Sequence, residues 1–171
     1  MSAIAVCPLS RLAETVAAYR ASPIVTLVND GTLFARPPVV LAANHLHVAI
    51  HDIVEPLDGM VYPTEEHVSS YLAFIRRWDR HAPIVVHCFA GISRSTAAAF
   101  SAFCAERPDV DEEEIALRLR QRSPEATPNT RLVAIADEML GRSGRMVRAI
   151  ERIGRGIEAS EGSVFALRLD E

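Results

Sequence analysis

A short apolar strand that runs through a loop into a helix is the feature that most constrains this chain. The run Ile84–His87, which follows Pro83, predicts the strand, and the alanine-rich segment 95–105 predicts the helix. Between them lies His-Cys-Phe-Ala-Gly-Ile-Ser-Arg-Ser, residues 87–95. A strand, a short loop and a helix in this order are typical of α/β domains, whose ligands bind at the carboxyl ends of the strands.

The loop has the properties of an anion site. Backbone N–H groups at the start of a helix have no partners within it, and the helix dipole adds positive potential there. Gly91 lets the backbone curve, so the loop can surround a phosphate with N–H groups. The same field stabilises a thiolate at Cys88, and Arg94 can hold two phosphate oxygens at once. The residues predicted to bind phosphate are Phe89, Ala90, Gly91, Ile92, Ser93 and Arg94.

The remaining pattern predicts an α/β fold with a central sheet of four or five mainly parallel strands flanked by helices. Besides Ile84–His87, strands are predicted at 24–28, 39–43 and 46–50, and a last strand or docked tail at 164–169. No repeat or linker interrupts the chain, so a single domain is predicted over residues 1–171. Within it, the C-terminal helix and tail, about 141–171, are a candidate family-specific extension.

The composition narrows the function classes. A net charge of −4 gives no basis for nucleic-acid binding, and no apolar run approaches the about 20 residues needed to span a bilayer. Three cysteines are too few, and odd in number, for a disulfide framework, which predicts a cytoplasmic protein. All 18 basic residues are arginines, so chemistry that needs a lysine amine is excluded.

The arrangement His-Cys, five residues, Arg-Ser resembles the signature of the protein tyrosine phosphatase superfamily. The interior residues Phe-Ala-Gly-Ile-Ser are most similar to the dual-specificity branch. The wider stretch from His51-Asp52-Ile53 to Pro128-Asn129 resembles bacterial tyrosine phosphatases of this superfamily. The resemblance implies hydrolysis of phosphomonoesters, with phosphotyrosine as the default substrate and phosphoserine or phosphothreonine left open. It also implies a phosphocysteine intermediate, no metal or organic cofactor, and a phosphorylated protein or small phosphomonoester as the partner.

The resemblance also implies a role for each residue of the site. Cys88 would be the nucleophile and Arg94 the phosphate clamp, while the hydroxyl of Ser95 would help the sulfur to leave in the second step. His87 would orient the loop without touching substrate. The general acid is an aspartate, for which two candidates remain. Asp52 follows a strand in the matching sequence context, and Asp58 has the more usual spacing, 30 residues before the cysteine. We favour Asp52, because insertions in loops shift spacing at little cost.

Two alternatives belong to other function classes. The loop could bind phosphate or phosphopeptides without turnover, as a catalytically silent module. A metal-dependent hydrolase could instead use the cluster His45, His47, His51 and Asp52, since histidine is a common metal ligand. Structural histidines at a strand end are more frequent than metal sites, and no second carboxylate-rich motif completes the cluster.

Two further groups are ambiguous. Arg142, Arg145, Arg148, Arg152 and Arg155 follow one side of the last helix, as a docking patch for an acidic partner or, as we favour, a solvated face. Cys7 and Cys104 are packing residues or partners of an oxidised Cys88.

Overall fold

A computed structural model describes residues 2–171 and contains one five-stranded sheet with helices on both faces. Met1, with which the predicted domain begins, lies outside the described residues. The strands are β1 (Ala3–Pro8), β2 (Ile24–Leu27), β3 (His45–His47), β4 (Ile84–Cys88) and β5 (Phe165–Arg168). The helices are α1 (Leu12–Tyr19), α2 (Glu65–Arg76), α3 (Arg94–Glu106), α4 (Glu112–Arg122), α5 (Thr130–Met139) and α6 (Arg145–Ile153).

The sheet has the order β3-β2-β4-β1-β5. The first four strands in this order are mutually parallel, and β5 runs antiparallel to β1 at the edge. Helix α1 covers one face, where Leu12 and Val16 pack against Ala5 and Cys7. The other five helices contribute to the larger core on the opposite face. The predicted fold class, a mainly parallel sheet between helices, is therefore confirmed.

The interior strand β1 was absent from the sequence prediction, although its six residues are buried. Its apolar run, Ala-Ile-Ala-Val-Cys, lacks the alternation that marks a half-exposed strand, because a parallel strand between two helical layers is buried on both faces. It pairs with β4 along its length and brings Pro8 opposite Cys88. β1 therefore supplies one wall of the region at the end of β4.

The predicted strand at 39–43 is wrong. This segment forms two tight turns, in which Val40 N–H bonds to Pro37 O and Asn44 N–H bonds to Leu41 O, each at 2.9 Å. Val39 and Leu41 are 74% and 68% exposed, and only Val40 of the apolar run is buried, in the core cluster beside α1. Similarly, β3 covers His45–His47 only, not 46–50, and Ile50 N–H bonds to Val48 O in a turn after it.

The C-terminal segment 141–171 joins the same sheet and core as the rest of the chain. Helix α6 packs against α4 and α5, and β5 pairs with β1. Phe165, Leu167 and Leu169 are all at most 5% exposed. Across residues 2–171, no helix has both the length and the apolar character needed to cross a membrane.

Candidate active site

Cys88 is the last residue of β4, at the edge of the sheet where the parallel strands end. It is 2% exposed, and its Sγ receives a hydrogen bond from Gly91 N–H at 3.2 Å. The hydroxyl of Ser95, itself buried, lies 3.1 Å from the same sulfur. The sulfur therefore lies inside the curve of the loop, with hydrogen-bond donors that can stabilise negative charge.

The loop is held from outside through its carbonyl groups. Those of Phe89, Ala90, Ile92 and Ser93 accept hydrogen bonds from the N–H groups of Leu9, Gly162, Thr127 and Asn129 at 3.1, 2.8, 3.0 and 3.2 Å. In a trans peptide unit the C=O and the following N–H point in opposite directions. The N–H groups that follow these carbonyls therefore face the concave side, as in a backbone nest for an anion.

Gly91 is essential to the shape of this loop. Its φ is +73°, a conformation that favours glycine. A Cβ atom placed there would lie 2.6 Å from Pro8 N and 2.9 Å from Cys7 C, so β1 passes directly behind the loop. The positive φ and the close approach each require glycine at this position.

Arg94 begins α3 and is 7% exposed. One of its terminal nitrogens, Nη1, donates to Ile50 O at 2.8 Å. Its buried Nε has no hydrogen-bond partner among residues 2–171. A buried charged group with an unmatched donor is costly, and an oxyanion in the loop would satisfy it.

Asp52 lies at the mouth of the loop, as the favoured candidate for the general acid requires. Its Oδ1 accepts hydrogen bonds from Ser93 Oγ at 2.7 Å and from Asn129 Nδ2 at 2.9 Å. Asp58 lies in an exposed turn, closed by Met60 N–H bonding to Leu57 O at 3.1 Å, and no hydrogen bond joins it to the loop within the described chain. The tertiary structure thus brings Asp52, rather than Asp58, to the loop.

His87 precedes the nucleophile candidate and is fully buried. Because successive side chains of a strand point to opposite faces, its ring lies on the other side of β4 from Cys88. Its Nε2 lies 2.7 Å from Thr26 Oγ1. Burial lowers the pKa of His87 to about 4, so the ring is neutral at physiological pH.

The histidine cluster predicted as an alternative metal site is not assembled. His45 Nε2 faces Thr26 Oγ1 at 2.9 Å, and His47 Nε2 faces Val28 O at 2.9 Å. The Nδ1 of His51 accepts from Val61 N–H at 2.9 Å, while Asp52 faces the loop. In the part of the chain that the structure describes, no three His, Cys, Asp or Glu side chains converge as metal ligands.

The family model for protein-tyrosine phosphatases matches residues 56–129, which include the whole loop from Cys88 to Ser95. No curated protein sequence matches the chain. Among solved structures, human DUSP28 is 17% identical with a TM-score of 0.62, over 82% of this chain and 92% of that chain. Human tyrosine phosphatase-like serine/threonine/tyrosine-interacting protein is 18% identical with a TM-score of 0.64, over the same shares, 82% and 92%. DUSP15 is 16% identical with a TM-score of 0.62, over 87% and 90%.

The match over residues 56–129 confirms the predicted resemblance to the protein tyrosine phosphatase superfamily. Its fold is that of the dual-specificity phosphatases, and the predicted cysteine-based phosphatase class is confirmed. The resemblance to bacterial members in particular stays a prediction.

Two residues that hold the phosphatase site were not singled out from the sequence. Asn129 caps α5 by accepting from Leu132 N–H at 3.0 Å, and its amide also donates to Asp52. Gly162 lies outside the matched stretch, and a Cβ there would lie 2.8 Å from Gly91 O. The sequence gives little indication of its role, since Gly162 simply follows a polar segment that contains other glycines.

Two grooves open on either side of Asp52 and Ser93. One, of about 650 Å³, is lined on its far side by the C-terminal residues Arg155, Ile157 and Glu158. The other, of about 480 Å³, is lined largely by apolar side chains from the loop after Asp52, among them Val54 and Leu57. The C-terminal segment of this phosphatase therefore forms part of the rim of the candidate site.

Only Arg145, Arg148 and Arg152 of the five predicted arginines lie on α6, and Arg142 and Arg155 lie outside it. Three of the five form ion pairs with α4. Arg142, 8% exposed, donates to Glu112 Oε1 at 2.9 Å and to Cys104 O at 2.6 Å. Arg145 contacts the same carboxylate at 3.1 Å, and Arg152 pairs with Glu113. The pairing favours a structural role over a docking patch for these three arginines, although Arg142 is buried and not part of a solvated face as predicted.

Cys7 and Cys104 are free and buried. Burial raises the pKa of the Cys7 thiol to about 12 and also raises that of Cys104. Cys7 packs with α1 on one face of the sheet, whereas Cys88 belongs to the core on the other face. These environments support the packing role for both cysteines.

Proposed function

We propose that this phosphatase hydrolyses phosphomonoesters of proteins through a phosphocysteine formed on Cys88, with phosphotyrosine as the principal substrate. The observation that carries the proposal is the position of Cys88 Sγ inside a loop with inward N–H groups and a buried, incompletely paired Arg94. Phosphoserine and phosphothreonine are secondary candidates. The predicted cytoplasmic location and the absence of nucleic-acid partners remain predictions.

In the first step the Cys88 thiolate attacks phosphorus, forming an S–P bond while the ester P–O bond breaks. The loop N–H groups and Arg94 hold the equatorial oxygens, whose negative charge is spread in the transition state. Asp52, held by Ser93 and Asn129, gives its proton to the departing oxygen. The alcohol leaves neutral, and Asp52 becomes a carboxylate.

In the second step a water molecule attacks the phosphocysteine. Asp52 takes a proton from that water, and the S–P bond breaks to release inorganic phosphate. The sulfur leaves as a thiolate, to which the hydroxyl of Ser95, 3.1 Å away, can donate. The enzyme returns to its starting protonation state with no cofactor consumed.

The test is release of phosphate from an aryl phosphate in excess chelator, comparing the wild type with Cys88→Ser. We expect wild-type turnover and a loss of at least about 10³-fold in the variant, since removing a nucleophile abolishes its covalent route. Cys104→Ala is the matched control, because it removes a buried cysteine outside the site. A panel of phosphotyrosine, phosphoserine and phosphothreonine peptides then ranks the substrates.

Each contrary outcome has a distinct meaning. Turnover that survives Cys88→Ser overturns the cysteine mechanism, and loss of turnover on chelation points to a metal-dependent hydrolase. A folded wild type that binds vanadate or phosphopeptide but releases no phosphate is the silent binding module.

A further inference from the structure

On the face of β4 opposite Cys88, the buried hydroxyl of Thr26 lies between the rings of His87 and His45. His45 is half-buried and belongs to β3. We propose that Thr26 and His45 are positioning residues, which fix the proton and the orientation of the His87 ring and thereby hold Cys88 in the geometry of attack. The inference rests on the proposed function, because it concerns the same nucleophile. Neither Thr26 nor the link to His45 is part of the motif that identified the loop.

The geometry of the connection is well defined. Thr26 is the register partner of His87 in the pairing of β2 with β4, so their side chains share one face of the sheet. The Oγ1 of Thr26 lies 2.7 Å from His87 Nε2 and 2.9 Å from His45 Nε2. Thr26 and His87 are both fully buried, so water does not compete for the hydrogen bond between them, whereas the one to His45 is partly buried.

One hydroxyl group has only one proton, and this links the protonation of the two rings. In the first arrangement Thr26 donates to His87 Nε2 and accepts from His45 Nε2–H. In the second arrangement Thr26 accepts from His87 Nε2–H and donates to His45 Nε2, so each ring has the opposite tautomer. The first arrangement suits both charge states of His45, because a protonated His45 can only donate. We therefore assign the direction His45 Nε2–H to Thr26 Oγ1–H to His87 Nε2.

This direction leaves the proton of neutral His87 on Nδ1, the ring nitrogen next to its own backbone. That backbone continues directly into Cys88, the end of β4. The contact with Thr26 is therefore what holds the ring, because its buried Nδ1 has no hydrogen-bond partner among residues 2–171. A ring free to rotate would loosen the strand end that carries the sulfur.

The surroundings favour a dry, neutral network. The ring of Phe34 packs edge-on to three histidines, with centroid distances of 5.8 Å to His45, 5.0 Å to His47 and 6.5 Å to His87. Burial lowers the pKa of His45, and the nearby His47 and Arg36 act in the same direction. The titratable or charged groups around this network come from three elements: His87 from β4, His47 from β3 and Arg36 from the loop before β3.

The experiment compares Thr26→Val, Thr26→Ser and His45→Phe with His47→Phe as the matched control. His47 neighbours the same Phe34 ring but bonds to Val28 O and lies outside the connection. We expect Thr26→Val and His45→Phe to lower kcat by about 10-fold to 100-fold with little change in KM, as is usual for loss of an orienting partner. Thr26→Ser, which keeps the hydroxyl, and His47→Phe should retain most of the activity.

Two readouts do not depend on turnover. The rate of alkylation of Cys88 by iodoacetamide at a fixed pH should fall in Thr26→Val but not in His47→Phe, because the sulfur is less well positioned when the ring is released. Nitrogen-15 NMR of the wild type should show His87 protonated on Nδ1 and bare on Nε2. The reverse tautomer, or unchanged kcat and alkylation in a folded Thr26→Val, overturns the inference. Failure of the proposed function appears differently, as turnover that survives Cys88→Ser or as an inactive wild type.

Discussion

The residues that do the chemistry and the residues that hold them in place come from very different parts of the chain. The segment 87–95 supplies the sulfur, the arginine and the backbone N–H groups within nine consecutive positions. Its supports come from β1, from Asp52, from the stretch Thr127–Asn129 and from Gly162 near the C-terminus. The comparison teaches that in this phosphatase the reactive groups are local, whereas their positioning depends on the whole fold.

The supports differ in kind from the loop itself. A backbone hydrogen bond contributes about 0.5–1.5 kcal/mol net, so no single support holds the loop. The glycine contacts tolerate substitution less well, because Gly91 lies against β1 and Gly162 lies against Gly91, so that neither position has room for a Cβ atom. Variants of the loop should therefore remove activity outright, and variants of the supports should reduce it in steps.

The largest effect is expected at Arg94. Arg94→Lys keeps the charge but loses the planar fork that holds two oxygens, and kcat/KM should fall by about 10³-fold. Steady-state kinetics with an aryl phosphate measures this, with Arg148→Lys, an exposed arginine on α6, as the control. A decrease in kcat/KM of less than tenfold would mean that Arg94 does not clamp the phosphate and that the backbone N–H groups are sufficient to bind it.

The next effect is expected at Asp52, which lies outside the loop but touches it. Asp52→Asn cannot supply a proton, so kcat should fall by about 10²-fold or more for esters with poor leaving groups. The loss should be small for esters whose leaving group is already a weak base. A plot of kcat against leaving-group pKa measures the difference between the variants.

Asp58→Asn is the matched control for Asp52, since it removes a carboxylate from the same loop. If Asp58→Asn shows the leaving-group dependence and Asp52→Asn does not, the assignment of the acid is wrong. If neither does, the proton comes from another group at the mouth of the loop.

A smaller effect is expected at Gly162, the support most distant in sequence from the loop. Gly162→Ala places a Cβ against Gly91 O, which should lower the free energy of unfolding by about 1–3 kcal/mol. Because the displaced atoms belong to the phosphate loop, kcat should also fall by about tenfold. Urea unfolding and kinetics measure the two effects. Gly141→Ala, where φ is +64° but no atom lies close, shows the cost of backbone strain without crowding and should leave kcat unchanged.

The smallest effect on activity is expected at Glu112, far from the loop. Burial raises the pKa of its carboxyl, but the hydrogen bond from Arg145 and the charges of Arg145 and Arg142 outweigh burial and hold it below the usual 4.5. The carboxylate therefore stabilises the fold above that pH, and the stabilisation is lost as the pH falls through the lower folded pKa.

Glu112→Gln should lower the free energy of unfolding by about 1–3 kcal/mol at pH 7 and leave kcat unchanged. The difference in stability from the wild type should shrink as the pH falls below 4.5. Denaturant unfolding at several pH values measures it. A stability difference that does not change with pH would show that the ionised carboxylate of Glu112 does not stabilise the fold. A fall in kcat would show that Glu112 also affects the site.

The limits of prediction follow from the same comparison. The strand Ile84–His87 and the loop after it were predicted with nearly correct bounds, since an apolar run and a glycine-containing turn are local signals. The strand β1 and the false strand at 39–43 show the opposite case. Both are short apolar runs, but the helices on the two faces of the sheet bury all six residues of β1, whereas only Val40 of the segment 39–43 is buried.

The amino-acid sequence by itself predicted the chemistry proposed for this protein, because Cys88, Gly91 and Arg94 lie at spacings that one loop can contain. It also determined the class of fold, because alternating strands and helices must bury their apolar faces in layers. Only the tertiary structure decided which aspartate faces the loop, that Asn129 and Gly162 support it, and that Thr26 joins His87 to His45. Such contacts join residues up to 77 positions apart, and a contact at that separation exists only after the sheet has brought the segments together.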